Sequence, residues 1–236
     1  MTIGSRFAVC AVAIMAKAPR QGEVKTRLVP PLTAPEATTL SAAFIRDTAE
    51  NILAAAASVA IDGFVAYSPA GTAAMFADVV PPAIQLLPPR RAGLAASLMD
   101  ATADLLAAGY GSACLVNADS PNLPTHLLIE AARTLAAPGD RVVLGRAADG
   151  GYYLIGLKRS HPRLFEGIAW STERVFEQTL ERAAEIGLAV HMLPIWYDVD
   201  DLAGLRRLIG DLAAPDRTGY PASHTSALLR QFADRL

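Results

Sequence analysis

The sequence has little of what marks several common classes of protein. Its 236 residues include two cysteines, Cys10 and Cys114, and both fall within apolar, strand-like runs, so we expect reduced core thiols rather than a disulfide. Four histidines without metal-ligand spacing argue against a zinc site. The net charge of -2, with the lysines and arginines scattered along the chain, argues against a nucleic-acid-binding surface.

Long uncharged runs are also missing. The most apolar helical stretch, residues 45–60, carries Arg46, Asp47 and Glu50, and it falls short of the roughly eighteen apolar residues that a membrane span needs. The apolar run near the N-terminus is interrupted at Lys17, which fits a signal peptide poorly. We therefore expect a cytoplasmic protein without a membrane span.

Two familiar phosphate-binding fingerprints, Gly-x-x-x-x-Gly-Lys-Ser/Thr and Gly-x-Gly-x-x-Gly, do not occur. The hydrophobic share of 52% is instead arranged as apolar strand-like runs that alternate with alanine-rich helical segments. Continuous apolar strands are typical of a parallel sheet covered by helices on both faces. The length suits one α/β domain spanning residues 1–236, with residues 215–236 forming a polar linker and an amphipathic helix. In that helix, Leu228, Leu229, Phe232 and Leu236 share a face that we expect to pack as core.

The alternation of strand and helix changes after residue 144. A turn at 149–151 leads directly into a strand at 152–157, with no room for a crossover helix. This strand is therefore predicted to lie antiparallel in an otherwise parallel sheet. A helix is predicted at 171–186, and the capping-box spacing at 33–36 predicts the start of an earlier one.

Asp119 follows an apolar strand that ends in Ser120-Pro121. In open parallel sheets, ligands bind beyond the carboxyl ends of the strands, and a carboxylate there can hold a hard cation that bridges a diphosphate. An Asx-turn that only caps the backbone is the structural alternative.

The first strand leads into a loop at residues 17–28 that contains four cations and Gly22. Lysine and arginine side chains together with a glycine backbone suit phosphate, and we favour Lys25 and Arg27 over Arg20. A solvated basic loop is the alternative.

Three further segments combine acids with turns or helix starts. Asp149-Gly150-Gly151 is an acid beside a strand, or a plain hairpin turn. The segment 170–173 is a helix cap, or an anion-binding and ring-stacking element. The segment 197–201 places three carboxylates in four positions, which need a cation or solvent to relieve their repulsion.

These motifs occur in a characteristic order: Lys-x-Pro-x-x-Gly-x-Val-Lys-Thr-Arg-Leu (17–28), Asp-Ser-Pro-Asn-Leu-Pro (119–124), Asp-Gly-Gly-Tyr-Tyr-Leu-Ile-Gly (149–156), Trp-Ser-Thr (170–172) and Asp-Val-Asp-Asp (198–201). In this combination most of the chain resembles a bacterial family of GT-A-type glycosyltransferases catalogued as DUF2064. The resemblance implies an α/β nucleotide-diphospho-sugar transferase fold, a Rossmann-like three-layer sandwich with a mostly parallel sheet and one antiparallel strand. Residues 90–98 match the glycine-rich, acid-containing segment of that family only in part.

The resemblance also implies roles for residues at the matching positions. The nucleotide diphosphate would be bound by Lys17, Gly22, Lys25 and Arg27. Asn117 is also assigned to the nucleotide, although it stands where members of that family commonly have glycine. A Mg²⁺ or Mn²⁺ ion would be held by Asp119 with Asp198 and Asp200. The sugar or acceptor would face Asp149, Gly150, Gly151, Trp170, Ser171 and Thr172. If the reaction inverts the stereochemistry of the sugar, a general base is needed, and Asp149 is the first candidate and Glu173 the second.

The leading functional hypothesis is metal-dependent transfer of a glycosyl group from a nucleotide-diphosphate sugar to a small acceptor. The second is nucleotidyl transfer, with attack on the α-phosphate of an NTP and release of pyrophosphate, because Lys25-Thr26-Arg27-Leu28 is similar to the basic loop of phospholactate guanylyltransferases. The third is a nucleotide-binding protein without turnover. The sequence does not identify the base of the nucleotide, the donor sugar, the acceptor or the oligomeric state.

Overall fold

The computed structural model describes residues 6–235 of the chain. Its strands are β1 (Cys10–Lys17), β2 (Ile61–Ser68), β3 (Gln85–Leu87), β4 (Ser112–Asn117), β5 (Arg141–Ala147), β6 (Tyr152–Leu157) and β7 (Ala189–Trp196). Its α-helices are α1 (Ala34–Ala56), α2 (Leu94–Ala107), α3 (Thr125–Ala136), α4 (Val175–Glu185), α5 (Leu202–Ala213) and α6 (Ser223–Gln231). Short 3-10 turns complete the described chain.

The strands form one sheet in the order β3-β2-β1-β4-β6-β5-β7. β6 is antiparallel to both neighbours, β4 and β5, whereas the other pairs are parallel. The prediction of one antiparallel strand in a mostly parallel sheet is confirmed. Its cause is the short turn at 148–151, which reverses the chain without a crossover helix.

Alternate residues of β1 face opposite layers of helices. Val12 and Ile14 pack in a core with residues of α1 and α3, whereas Ala11 and Ala13 pack with residues of α2 and α4. All four side chains are buried, which explains why the strand reads as one continuous apolar run. The predicted α/β sandwich with helices on both faces is therefore confirmed.

Local signals account for some helix ends and fail for others. The capping box of Thr33 and Glu36 is present at the start of α1, as predicted. The predicted start of a helix at residue 171 is wrong, because α4 begins at Val175. No side chain caps the start of α3, and the hydroxyl of its first residue, Thr125, donates to the Asn51 side chain at 2.6 Å.

α6 packs on α1 and α5 outside the two main layers. Leu229 and Phe232 are buried there and Leu228 is partly buried, as the stripe predicted, whereas Leu236 lies outside the described residues. Both cysteines are buried and free, which also matches the prediction. Within residues 6–235 no helix combines the length and apolarity needed to cross a bilayer.

Candidate active site

A cleft of about 920 Å³ opens at the carboxyl ends of β1, β2 and β3. Lys17 and residues 23–27 line part of it, and residues 87–94 line another part. Asp119 and Asp200 also line the cleft. This is the edge at which open α/β sheets bind ligands, and the volume lies in the usual range for small-molecule sites, about 300–1,000 Å³.

Lys25 joins the basic loop to both acidic segments. Its ammonium group donates to the Val199 carbonyl at 2.6 Å and forms ion pairs with Asp119 and, at 3.2 Å, with Asp200. The side chain is only 5% exposed, and its charge lies 5.2 Å from the centre of the Phe44 ring. The two acids were predicted separately from distant parts of the sequence, and this lysine brings their charges to one point.

The two acidic segments also contact each other through the backbone. The Val199 amide donates to the Asp119 carbonyl at 2.9 Å, and the Ser120 hydroxyl donates to the Tyr197 carbonyl at the same distance. These bonds hold the end of β4 beside residues 197–200, although the segments lie about 80 residues apart in sequence. Asp201 has a different role, because its carboxylate accepts from the Gly204 amide and caps α5.

Asp198 lies deepest among these carboxylates. It accepts hydrogen bonds from the Asn117 amide at 2.8 Å and from the Ser120 hydroxyl at 2.9 Å. Burial raises its pKa to about 6, the two hydrogen bonds oppose that rise, and the charges of Asp149 and Asp119 add to it. Asn117, which is predicted to bind the nucleotide, donates through its side-chain amide to this acid and orients it.

The turn at Asp149 is fixed from two sides. The carboxylate accepts from the Gly151 amide at 2.9 Å, which is the Asx-turn geometry. Gly150 has φ +93°, and a Cβ there would lie 2.2 Å from the Glu173 carbonyl oxygen. The Gly150 carbonyl accepts from the Phe176 amide at 2.9 Å. The turn and the segment 170–176 are therefore in direct contact, and both Asp149 and Glu173 are exposed.

The segment 170–172 forms the turn before α4 rather than the first turn of a helix. Trp170 makes an edge contact with the Tyr152 ring, with a centroid distance of 6.4 Å. Ser171 adopts φ +63°, and the Thr172 hydroxyl donates to the Ala169 carbonyl at 2.7 Å. Neither Asp149 nor this segment lines the cleft, although the charge of Asp149 contributes to the raised pKa of Asp198.

Two further cations of the basic loop, Lys17 and Arg27, line the cleft, whereas Arg20 and Gly22 do not. Lys17 donates to the Glu23 carbonyl at 3.1 Å, and Arg27 is exposed. Gly22 has φ +77°, with nothing within 4 Å of the position a Cβ would take. Gly22 thus serves the turn, and no neighbouring group requires its lack of a side chain.

Sequence reasoning missed one pair in the cleft. Arg91 binds Asp100 through two nitrogens, with Nε 2.9 Å from Oδ2 and Nη2 2.5 Å from Oδ1. The hydrogen bonds from Arg91 lower the pKa of Asp100, whose side chain is 7% exposed. The available signal was an acid among the buried apolar positions of α2, because such an acid requires a partner.

A tight cluster of potential metal ligands lies elsewhere. Asp47, Glu50 and His224 offer ligand atoms within 4.8 Å of one another, and among residues 6–235 no other three such residues meet that spacing. Asp47 accepts from the amides of His224 at 3.1 Å and Thr225 at 2.8 Å, so it caps α6. Asp119 and Asp200 are instead bridged by an ammonium group.

The profile of one protein family, described as "Uncharacterized protein conserved in bacteria (DUF2064)", matches residues 51–172, just over half of the chain. The chain belongs to the DUF2064 family. The match includes the Asp119 motif, the Asp149 turn and the segment 170–172. A comparison with curated proteins gives no match.

Some solved structures resemble this DUF2064 member over nearly its whole length. A candidate nucleotide-diphospho-sugar transferase from Desulfovibrio desulfuricans G20 is 27% identical, with 96% of each chain covered and a TM-score of 0.84. A cytidylyltransferase from Leptospira borgpetersenii is 10% identical over 96% of this chain and 95% of its own, with a TM-score of 0.52. A CMP-2-keto-3-deoxy-manno-octonic acid synthetase bound to CTP is 11% identical over 85% of this chain and 96% of its own, with a TM-score of 0.51. The last two show a shared fold.

Proposed function

We propose that this protein is a metal-dependent glycosyltransferase that uses a nucleotide-diphosphate sugar. The observation that carries the proposal is the meeting of Lys25, Asp119 and Asp200 at a cleft along the carboxyl ends of β1, β2 and β3. The name of the 27% identical Desulfovibrio protein supports the same substrate class. We also propose that residues 1–236 act as one domain.

In this proposal the cleft binds the nucleotide-diphosphate sugar. Lys17, Lys25 and Arg27 supply positive charge to a diphosphate, and Gly22 shapes the loop that carries them. These charges stabilise the leaving nucleoside diphosphate as the bond to the sugar breaks, which is the usual electrostatic means of lowering such a barrier.

We assign a divalent cation to Asp119, Asp198 and Asp200 on the chemistry of their side chains, although their oxygens do not meet the 4.8 Å spacing that Asp47, Glu50 and His224 meet. Asp119, Asp198 and Asp200 supply carboxylate oxygens, the hard ligands that Mg²⁺ and Mn²⁺ prefer. A positive charge already lies between two of them in the form of the Lys25 ammonium group. A bound cation would neutralise charge on the leaving diphosphate.

The acceptor is assigned to the side formed by the Asp149 turn and the segment 170–173. In an inverting reaction, Asp149 would take the proton from an acceptor hydroxyl while that oxygen forms the new bond to the sugar, and the nucleoside diphosphate would leave with the electron pair of the broken bond. Glu173 is the second candidate for this base. Gly150, Gly151 and the segment 170–172 would form the wall that the acceptor meets.

Nucleotidyl transfer is the second candidate, favoured by the Lys25-Thr26-Arg27-Leu28 sequence. In that reaction, an acceptor oxygen attacks the α-phosphate of an NTP and pyrophosphate leaves. The presence of a single glycine in residues 17–28 weighs against it, because wrapping a triphosphate calls for close backbone approach along the loop.

The test is a thermal-shift panel of NDPs, NDP-sugars and NTPs with and without Mn²⁺, followed by ³¹P NMR of the products. A ligand at a hundred times its Kd should add about 2.7 kcal/mol of stability. We expect stabilisation by an NDP-sugar and release of NDP, both lost in Asp119→Asn and kept in the control Asp216→Asn, which alters an exposed acid outside the cleft. Pyrophosphate release from an NTP would favour the second candidate. Tight binding without any product would indicate a protein without turnover.

A further inference from the structure

The ammonium group of Lys25 lies where a divalent cation shared by Asp119 and Asp200 would lie. It contacts one oxygen of each carboxylate. A Mg²⁺ ion held by the same two oxygens must approach each of them to about 2.1 Å, which places it in the space between them. The ammonium group and the cation therefore cannot occupy this position together.

Two contacts besides the ion pairs, together with burial, hold Lys25 in place. The Val199 carbonyl accepts from Nζ at 2.6 Å, the Phe44 ring lies beneath the charge, and the side chain is 5% exposed. The backbone adopts φ +49°, which is uncommon for a residue with a side chain. The side chain of Lys25 is thus held between the two carboxylates by several groups, and it does not extend freely into solvent.

We propose that Lys25 excludes a divalent cation from the Asp119–Asp200 pair until the donor binds. The inference rests on the proposed function, since it assumes that the donor carries a diphosphate. Lys25 belongs to the same loop as Lys17 and Arg27, which line the cleft. A diphosphate bound there attracts the ammonium group, whose four-carbon stem can reorient by rotation of its own single bonds, and the two carboxylates become available. Cation and donor then bind with positive coupling.

The coupling has a reciprocal consequence. If a nucleoside diphosphate raises the affinity for Mn²⁺, then Mn²⁺ raises the affinity for the nucleoside diphosphate by the same factor. Removal of the Lys25 charge should abolish much of this coupling, because the acids are then open to the cation at all times. Without a cation, the same variant leaves two carboxylates without their shared counter-charge.

The experiment measures Mn²⁺ binding by the electron paramagnetic resonance signal of the free ion, without any turnover. We expect Lys25→Met to bind Mn²⁺ about tenfold or more tightly than the wild type in the absence of nucleotide, in the range of typical coupling factors. Lys158→Met is the matched control, because Lys158 donates to the carbonyls of Ala137 and Gly139, and neither residue lines the cleft. Equal affinities of the wild type and Lys25→Met would overturn the proposal.

A second measurement uses the wild type alone and does not depend on the folding of a variant. The chain has three lysines, Lys17, Lys25 and Lys158, so Nζ resonances can be resolved by ¹⁵N NMR. We expect Mg²⁺ alone to leave the Lys25 signal unchanged, and Mg²⁺ with UDP or GDP to shift it. A shift with Mg²⁺ alone would refute the exclusion.

The two proposals fail in different ways. If no nucleoside diphosphate binds while Lys25→Met still gains Mn²⁺ affinity, the proposed donor is wrong and the competition between lysine and cation stands. If a nucleoside diphosphate binds with no effect on Mn²⁺ affinity in the wild type, the donor site stands and the exclusion by Lys25 is wrong.

Discussion

Gly150 offers a direct test of how the Asp149 turn is positioned. A Cβ at this residue would lie 2.2 Å from the Glu173 carbonyl oxygen and 2.5 Å from the Glu173 Cα, and φ is +93°. Both obstacles are backbone atoms, which cannot move aside as a side chain can. Gly150→Ala should therefore separate the turn from the segment 170–176 or strain both.

The expected loss of stability in Gly150→Ala has two contributions. The left-handed backbone costs an alanine about 1–2 kcal/mol. Forcing an extra carbon into a filled space costs about 1–3 kcal/mol more. Gly150→Ala is thus expected to lower the free energy of unfolding by about 2–5 kcal/mol.

Gly109 provides a matched control. It has the same φ, +93°, and nothing lies within 4 Å of the position its Cβ would take. Gly109→Ala should therefore show only the backbone cost, about 1–2 kcal/mol. The difference between the two variants in urea denaturation isolates the contact with Glu173.

The same two variants can also be compared for product formation. With the turn displaced, product formation from the donor should fall by about 100-fold, the typical effect of a 1 Å misplacement. Gly109→Ala should retain product formation in proportion to its folded fraction. Equal destabilisation by the two alanines would refute the steric argument, and a destabilised Gly150→Ala variant with normal turnover would remove Asp149 from the reaction.

Two further predictions concern buried acids. Arg91→Ala leaves Asp100 without its two-nitrogen partner, so the urea midpoint should fall. Because Arg91 lowers the pKa of Asp100, the stability that depends on this charge is fully present above the unfolded pKa of about 3.9 and is lost as the pH falls through the lower folded value. The difference between wild type and variant should therefore shrink in acid, and a difference that grows would contradict this reading. Asp47→Ala removes the acceptor for two amides at the start of α6 and should cost about 1–3 kcal/mol, with faster amide hydrogen exchange in 223–231. Unchanged exchange there would show that packing alone holds the helix.

The sequence by itself determined much of the architecture. Because both faces of β1 are buried, the strand appears in the sequence as a continuous apolar run. Because the turn before β6 is short, β6 must run antiparallel to its neighbours. The same local information located Asp119 at the end of a strand. These features depend on neighbours within a few residues, and so a single sequence contains them.

The tertiary structure decided which of the predicted polar residues meet. The bond from Lys25 to the Val199 carbonyl joins residues 174 positions apart, and the bond from Asn117 to Asp198 joins residues 81 apart. The role of Asp47 could not be predicted from local sequence either, because this acid lies in α1 and caps α6 near the other end of the chain. The pKa of Asp198 likewise depends on burial among distant segments. Contacts of this kind arise only when strand order and helix packing bring the loops together, and local spacing does not encode that order.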